Sequence, residues 1–149
     1  MSRVSTYLNF MGDTEEAFQF YESVFGTRIE GDIFRMADMS PGGEMAPPGA
    51  PQLAPEEQQL VGHVMLPILG GHVLMGSDML RSMGHELRVG NNVTINLEPD
   101  TREETDRLYA ALSEGGSEST GMMEMPWGYW GCTLDRFGVR WMFNCGAAA

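Results

Sequence analysis

The chain alternates between two hydrophobic rhythms. Tyr7–Phe10 opens with the period-2 pattern of a half-buried strand, and from Asp13 the spacing becomes helical, placing Ala17, Tyr21, Val24 and Phe25 on one stripe before Gly26. The same sequence of signals returns from Val93: a short β run, Asp100 and Thr101, a helical run with Leu108, Ala111 and Leu112 on one stripe, and Gly115-Gly116. Asp13 or Thr14, and Asp100 or Thr101, are suited to cap the first turns. Glu16 and Glu104 stand three residues on, where a capping box needs them. Gly26 and Gly115 supply left-handed stops.

Strands follow each helix. Arg28–Met36 reads as one, and Leu60–Leu69 pairs with His72–Ser77 around Gly70-Gly71 as a tight hairpin. In the second copy Ser117–Met125, Tyr129–Leu134 and Val139–Cys145 are strands, the last two joined through Asp135-Arg136-Phe137-Gly138. The expected fold is α+β, with two β-α-β-β-β modules. Residues 1–78 form the first, 79–91 a linker, 92–145 the second and 146–149 a frayed tail. Residues 38–57, with five prolines and three glycines, read as a partly mobile surface loop within the first module.

At 149 residues, 42% hydrophobic, the chain is long enough to bury a core without disulfides. Its 21 acidic and 9 basic residues give a net charge of −12, which repels phosphate backbones and anionic membranes, so nucleic acid and membrane partners are not expected. No run reaches the roughly 18 apolar residues needed to span a bilayer, and no basic start with an apolar stretch precedes the first strand, so the expected location is cytoplasmic. Cys132 and Cys145 read as reduced, buried thiols. A symmetrical terminal hairpin sets Cys132 opposite Trp141.

Three stretches carry a resemblance to a known family. They are Tyr7-Leu-Asn-Phe with Ala17-Phe-Gln-Phe-Tyr21-Glu-Ser-Val-Phe-Gly26, then Gly71-His-Val-Leu-Met-Gly-Ser-Asp78, and Trp130-Gly with Asp135-Arg-Phe-Gly-Val-Arg-Trp-Met-Phe-Asn144. Together they resemble the PhnB-like branch of the vicinal oxygen chelate superfamily, which includes glyoxalase I, ring-cleaving dioxygenases and the fosfomycin and bleomycin resistance proteins. The resemblance implies a cavity-bearing curved sheet, homodimers and, in metal-dependent members, a divalent ion bound by His and Glu from both modules. Members of this branch are often labelled demethylubiquinone methyltransferases, yet no glycine-rich loop of the kind that cradles a nucleotide-like cofactor follows a strand here.

Carried onto this sequence, the family's ligand positions fall on Thr6, near Asn92, on Met75 and on Met142. These are poor donors for Mg²⁺, Mn²⁺, Fe²⁺ or Zn²⁺. No cofactor is therefore expected, with a divalent ion as the alternative. His63 is the remaining metal candidate. A two-residue turn at Gly70-Gly71 sets it opposite Asp78 and puts Met75 on the other face, which favours a structural histidine. His72 and His85 are expected to be exposed. The 13 methionines suit an adaptable apolar pocket, with Met65, Met75 and Met142 in strands. Thioether capture of Cu(I) usually belongs to a copper-handling context, of which the sequence carries no signal.

In the last strand Arg140, Met142 and Asn144 share one face, with Trp141 and Phe143 on the other. Trp127 and Trp130, among glycines and a proline, are placed to close over a cavity mouth. The expected ligand contacts are thus Thr6, Met65, Met75, Trp127, Trp130, Arg140, Met142 and Asn144. Three functions remain open: metal-free binding of a small apolar or aromatic molecule, a metal-dependent lyase, isomerase or dioxygenase using His63, or a non-catalytic dimeric interaction module.

Overall fold

Two four-stranded mixed sheets carry the chain, one in each of two units, Met1–Arg88 and Val89–Ala149. They are seen in a computed structural model that describes residues 1–39, 49 and 53–146. Most of the loop expected at 38–57, and nearly all of the tail at 146–149, lie outside the described residues.

Unit 1 runs β1 (Thr6–Phe10), α1 (Thr14–Phe25), β2 (Phe34–Arg35), the single-turn helix α2 (Met36–Met39), β3 (Val61–Pro67) and β4 (Val73–Asp78). The strand order is β1-β4-β3-β2, with β1 parallel to β4 and the other pairs antiparallel. Unit 2 runs β5 (Ile95–Leu97), α3 (Arg102–Ser113), β6 (Met123–Met125), β7 (Gly128–Leu134) and β8 (Arg140–Cys145). Its order, β5-β8-β7-β6 with β5 parallel to β8, repeats the first. The fold is α+β, and each unit holds the β-α-β-β-β series.

Most of each predicted helix stripe is buried, but Phe25 and Ala111 are only half-buried, and Phe18 joins the first stripe. Ala17, Phe18, Tyr21 and Val24 on α1, and Leu108 and Leu112 on α3, are almost fully removed from water. Gly26 ends α1 in the left-handed region at φ 65°, its N–H donating to Glu22 O at 2.9 Å. Thr101 caps α3 as expected, accepting from Glu104 N at 3.2 Å. For α1 the cap differs from the expectation: the Asp13 side chain makes no capping bond. Instead the buried Asp78, at the end of β4, accepts from Gly12 N (2.8 Å), Thr14 N (3.2 Å) and Thr14 Oγ1 (2.8 Å) through Oδ1. Its Oδ2 accepts from Val61 N at 2.9 Å. One carboxylate thus fastens the helix start to two strands.

Three expectations are corrected. The strand expected over Ser117–Met125 is confined to Met123–Met125, with an isolated bridge from Ser117 to Leu134. The strand expected over Arg28–Met36 shrinks to Phe34–Arg35, because Gly31 turns the chain at φ 72° and Met36 starts a helical turn. Neither hairpin has the expected symmetrical tight turn. The ladders end at Pro67↔Val73 and Leu134↔Arg140, leaving five-residue connections. The first is closed by Ile68 N donating to His72 O at 2.7 Å, the second by Asp135 N donating to Val139 O at 2.9 Å. An odd-numbered connection centres the register on a residue, Gly70 or Phe137, where a two-residue turn centres it on a peptide bond. Each ladder is therefore one residue out from the expected pairing, which moves side chains to the other face of the sheet.

Candidate functional site

In each unit the helix packs on one face of the sheet. The side chains that alternate away from it define an open face. On unit 1 the burial pattern along β3 puts Val64 and Leu66 beneath the helix and His63, Met65 and Pro67 on the open side. Met65 pairs directly with Met75, and Met75 is flanked across the parallel ladder by Tyr7. His63 and Met75 therefore share a face, contrary to the expected register, and the expected His63–Asp78 pair is not formed.

The His63 ring is held by Tyr7. The Tyr7 hydroxyl lies 3.2 Å from His63 Nδ1, and the rings lie 5.8 Å apart at 30°. Ser5 Oγ donates to Met75 Sδ at 3.9 Å. Thr6, expected at the ligand site, alternates to the helix side with buried Leu74, and its hydroxyl is 2.8 Å from His72 Nε2. His72 is thereby half-buried rather than exposed. His85 is exposed, its Nδ1 accepting from Leu80 N at 2.9 Å.

Unit 2 presents the fuller constellation. Trp141 and Phe143 lie fully buried on the helix side, where Trp141 Nε1 donates to Asp135 Oδ2 at 2.9 Å. The open face carries Arg140, Met142 and Asn144 of β8, then Trp130 opposite Asn144, and Cys132 opposite Met142. The expected Cys132–Trp141 pairing is corrected by the five-residue connection. Met123 lies beside Trp130, and Asn96 beside Met142. Exposed Trp127 donates from Nε1 to Asn144 Oδ1 at 3.0 Å, and Asn144 Nδ2 donates to Asn96 Oδ1 at 2.6 Å. This chain of bonds fixes the amide of Asn144 and sets the Trp127 indole beside it.

At the other end of the face Arg140 pairs with Glu118 at 2.7 Å, while its Nε is buried without a hydrogen-bond partner. Glu118 is the one non-glycine residue at positive φ (51°) among the described residues, a conformation that costs energy for an L side chain. Burial pushes the Cys132 thiol up from its ordinary range, and the nearby Arg140 charge only partly opposes that. The thiol is thus kept protonated, a soft group rather than a nucleophile.

The two units place equivalent side chains at equivalent ladder positions. Met75 corresponds to Met142, Met65 to Cys132, His63 to Trp130, and Tyr7 to Asn96. Met75 and Met142, expected at ligand positions four residues beyond a turn glycine, lie at equivalent ladder positions of the two units. Their ladder neighbours Tyr7, Asn96 and Cys132 are not singled out from sequence, where the signal for them is the repeat itself, aligned on strands rather than on helix starts. Asn92 is exposed and lies before β5, so the β5 neighbour of Met142 is Asn96.

A hard divalent ion does not fit these residues. Around Met75 and Met142 stand a thioether, a thiol, an amide, a phenol and the single imidazole of His63, where such an ion needs several carboxylates or imidazoles, and among the described residues no three His, Cys, Asp or Glu side chains converge. A separate open depression of about 470 Å³ in unit 1 is lined by Met11, Leu60, Met79, Glu57 and Arg81, among others. The Glu57 carboxylate is occupied there by the Ala54 and Ser82 amides.

Residues 3–143 match the family model of the Glyoxalase/Bleomycin resistance protein/Dioxygenase superfamily. The chain is 23% identical to Protein YjdN of Escherichia coli (strain K12) over 142 residues, 95% of this chain and 93% of that protein. Among solved structures it is similar to protein PA1353 from Pseudomonas aeruginosa, with 30% identity, a TM-score of 0.81 and coverage of 99% and 100% of the two chains. It also shares the fold of the PhnB protein from Bacillus cereus, at 23% identity, a TM-score of 0.71 and coverage of 97% and 100%.

Proposed function

The chain belongs to the glyoxalase/bleomycin resistance protein/dioxygenase superfamily, and on that premise we propose that it is a PhnB-like binding protein that takes a small apolar or aromatic molecule without a divalent metal. The observation that supports this most is the open face of unit 2. Trp127 and Trp130 offer aromatic surfaces, Met142 and Cys132 soft apolar contact, and Asn144, held between Trp127 and Asn96, a fixed polar edge. That combination of apolar area with a few oriented polar groups is what small-molecule sites require. Arg140 at the rim favours a ligand with an anionic or carbonyl edge. We also propose that it works in the cytoplasm and, as the superfamily resemblance implies, as a homodimer. Among the described residues no helix is long and apolar enough to cross a membrane.

A probe of about 12–20 heavy atoms at roughly 0.3 kcal/mol per atom binds with a Kd from about 2 mM to tens of micromolar. Titration with 2-naphthoate, an aromatic anion of about 13 heavy atoms, followed by tryptophan quenching, therefore saturates near the weak end of that range, and Trp127→Ala and Trp130→Ala each weaken binding several-fold. Quenching that stays linear and identical in these variants overturns the proposal. So does one equivalent of Zn, Mn, Fe or Ni in protein purified without chelator and lost in His63→Ala, which supports a metal-dependent lyase, isomerase or dioxygenase instead. Absence of both metal and ligand binding leaves the non-catalytic dimeric module, and light scattering that reports a single 16.5 kDa chain removes the homodimer.

A further inference from the structure

The corrected register of unit 1 assembles a donor set that the sequence alone had separated. Met65 and Met75 are direct cross-strand partners, and His63 stands one step along β3 on the same face. Side chains opposed in this way have Cβ atoms about 4.5–5.5 Å apart, so two flexible thioethers can close on one atom between them. The hydrogen bond between His63 Nδ1 and Tyr7 fixes the ring, as a second shell does for a ligating imidazole. With the proton on Nδ1 donated to the Tyr7 oxygen, Nε2 presents its lone pair.

We propose that His63, Met65 and Met75 form a site for a thiophilic monovalent cation, Cu(I). Two thioethers and one imidazole suit a soft ion of this kind, and the strand positions that share this face, Tyr7, His63, Met65 and Met75, hold no carboxylate for a hard divalent ion. The ion enters and leaves as Cu(I), with neutral donors and no electron transfer. The residues named belong to unit 1, and those of the ligand face proposed above to unit 2. Unit 2 also serves as an internal control. Its equivalent positions hold a sulfur pair, Cys132 and Met142, but Trp130 stands in the place of the histidine, so no imidazole completes the set.

Ag(I), a redox-silent stand-in, tests the proposal in chloride-free nitrate buffer. The full-length chain carries Cys132→Ser and Cys145→Ala so that thiols do not capture the probe, and its methionine methyls are ¹³C-labelled. One equivalent of Ag(I) is expected to shift the Met65 and Met75 methyl signals and leave the exposed Met39, Met83 and Met123 in place. Met65→Leu with Met75→Leu, nearly volume-conserving, is expected to lower affinity at least tenfold with the helical circular dichroism unchanged, and His63→Gln at least threefold. First shifts at the exposed methionines, or unchanged affinity in the double leucine variant, overturn the site.

Discussion

Asp78→Ala removes the one acceptor that joins the start of α1 to β3 and β4. Four donors lose their partner: the amides of Gly12, Thr14 and Val61 and the Thr14 hydroxyl. Each stranded buried donor costs about 1–3 kcal/mol. Gly12 is exposed and regains water, and the hydroxyl is free to turn, whereas the Thr14 and Val61 residues are 0% and 1% exposed and their amides cannot be rehydrated. The expected loss is therefore about 3–5 kcal/mol, a large share of a typical 5–15 kcal/mol stability. Asp78→Asn keeps a carbonyl oxygen for the helix start but turns an amide donor toward the Val61 N–H, for about 2–3 kcal/mol. Thr14→Val removes the hydroxyl bond alone and costs about 1 kcal/mol.

Urea unfolding followed by helical circular dichroism measures all three variants. Tryptophan fluorescence serves poorly, because Trp127, Trp130 and Trp141 all lie in unit 2. An Asp78→Ala variant within about 1 kcal/mol of the parent, or an alanine no worse than the asparagine, refutes the reasoning: the first outcome denies the carboxylate its fastening role, the second its dependence on acceptor geometry.

Gly76→Ala sets a Cβ 2.6 Å from Cε2 of the fully buried Phe18, and overpacking of this kind costs about 1–3 kcal/mol, readable as a lower urea midpoint. Cys132 is alkylated by iodoacetamide near pH 8 at least tenfold more slowly than free cysteine, and Arg140→Met slows it further, both located by peptide mass spectrometry. The Arg35 hydrogen bond lowers the Glu15 carboxyl below its ordinary value, against the opposing effect of burial. A lowered folded value gives stability that is present above the unfolded value of 4.5 and is lost as pH falls through the folded one. With Glu15 about 40% exposed, Glu15→Gln costs less than about 1 kcal/mol at neutral pH, and the difference shrinks as pH is lowered below 4.5 and through the folded value, as paired urea titrations will show.

The helices, most strands and the repeat were legible because hydrophobic spacing reports directly on them. Most stripe residues are the buried ones, and a fixed offset from a turn glycine puts Met75 and Met142 at equivalent ladder positions. Register was not legible. Gly70-Gly71 is the ordinary signature of a two-residue turn, yet both glycines, at φ 66° and 78°, serve a longer connection closed by Ile68 and His72. Parity of the connection decides which side chains share a face, so one misjudged residue separated His63 from Met75 and paired Cys132 with Trp141. Tyr7 and Asn96 were hidden for another reason. They reach Met75 and Met142 through parallel pairing, where no turn ties the strands in sequence and spacing carries no register. Asp78 was read as a possible partner of an imidazole, and only the three-dimensional path of the chain shows it beneath a helix start.

The parallel pairing of first with last strand in each unit also has a consequence in time. Thr6 lines up with Leu74, sixty-eight residues later, and Phe10 with Asp78. A ribosome adding about 5–20 residues per second needs about 3–14 s to make that span. During that interval the opening strand and its helix have emerged without their sheet neighbour or their cap. The exposed stripe of Ala17, Phe18, Tyr21 and Val24 is then open to whatever meets the nascent chain. A polypeptide arrested before β4 is accordingly expected to engage holding chaperones, and one extended past Asp78 to release them.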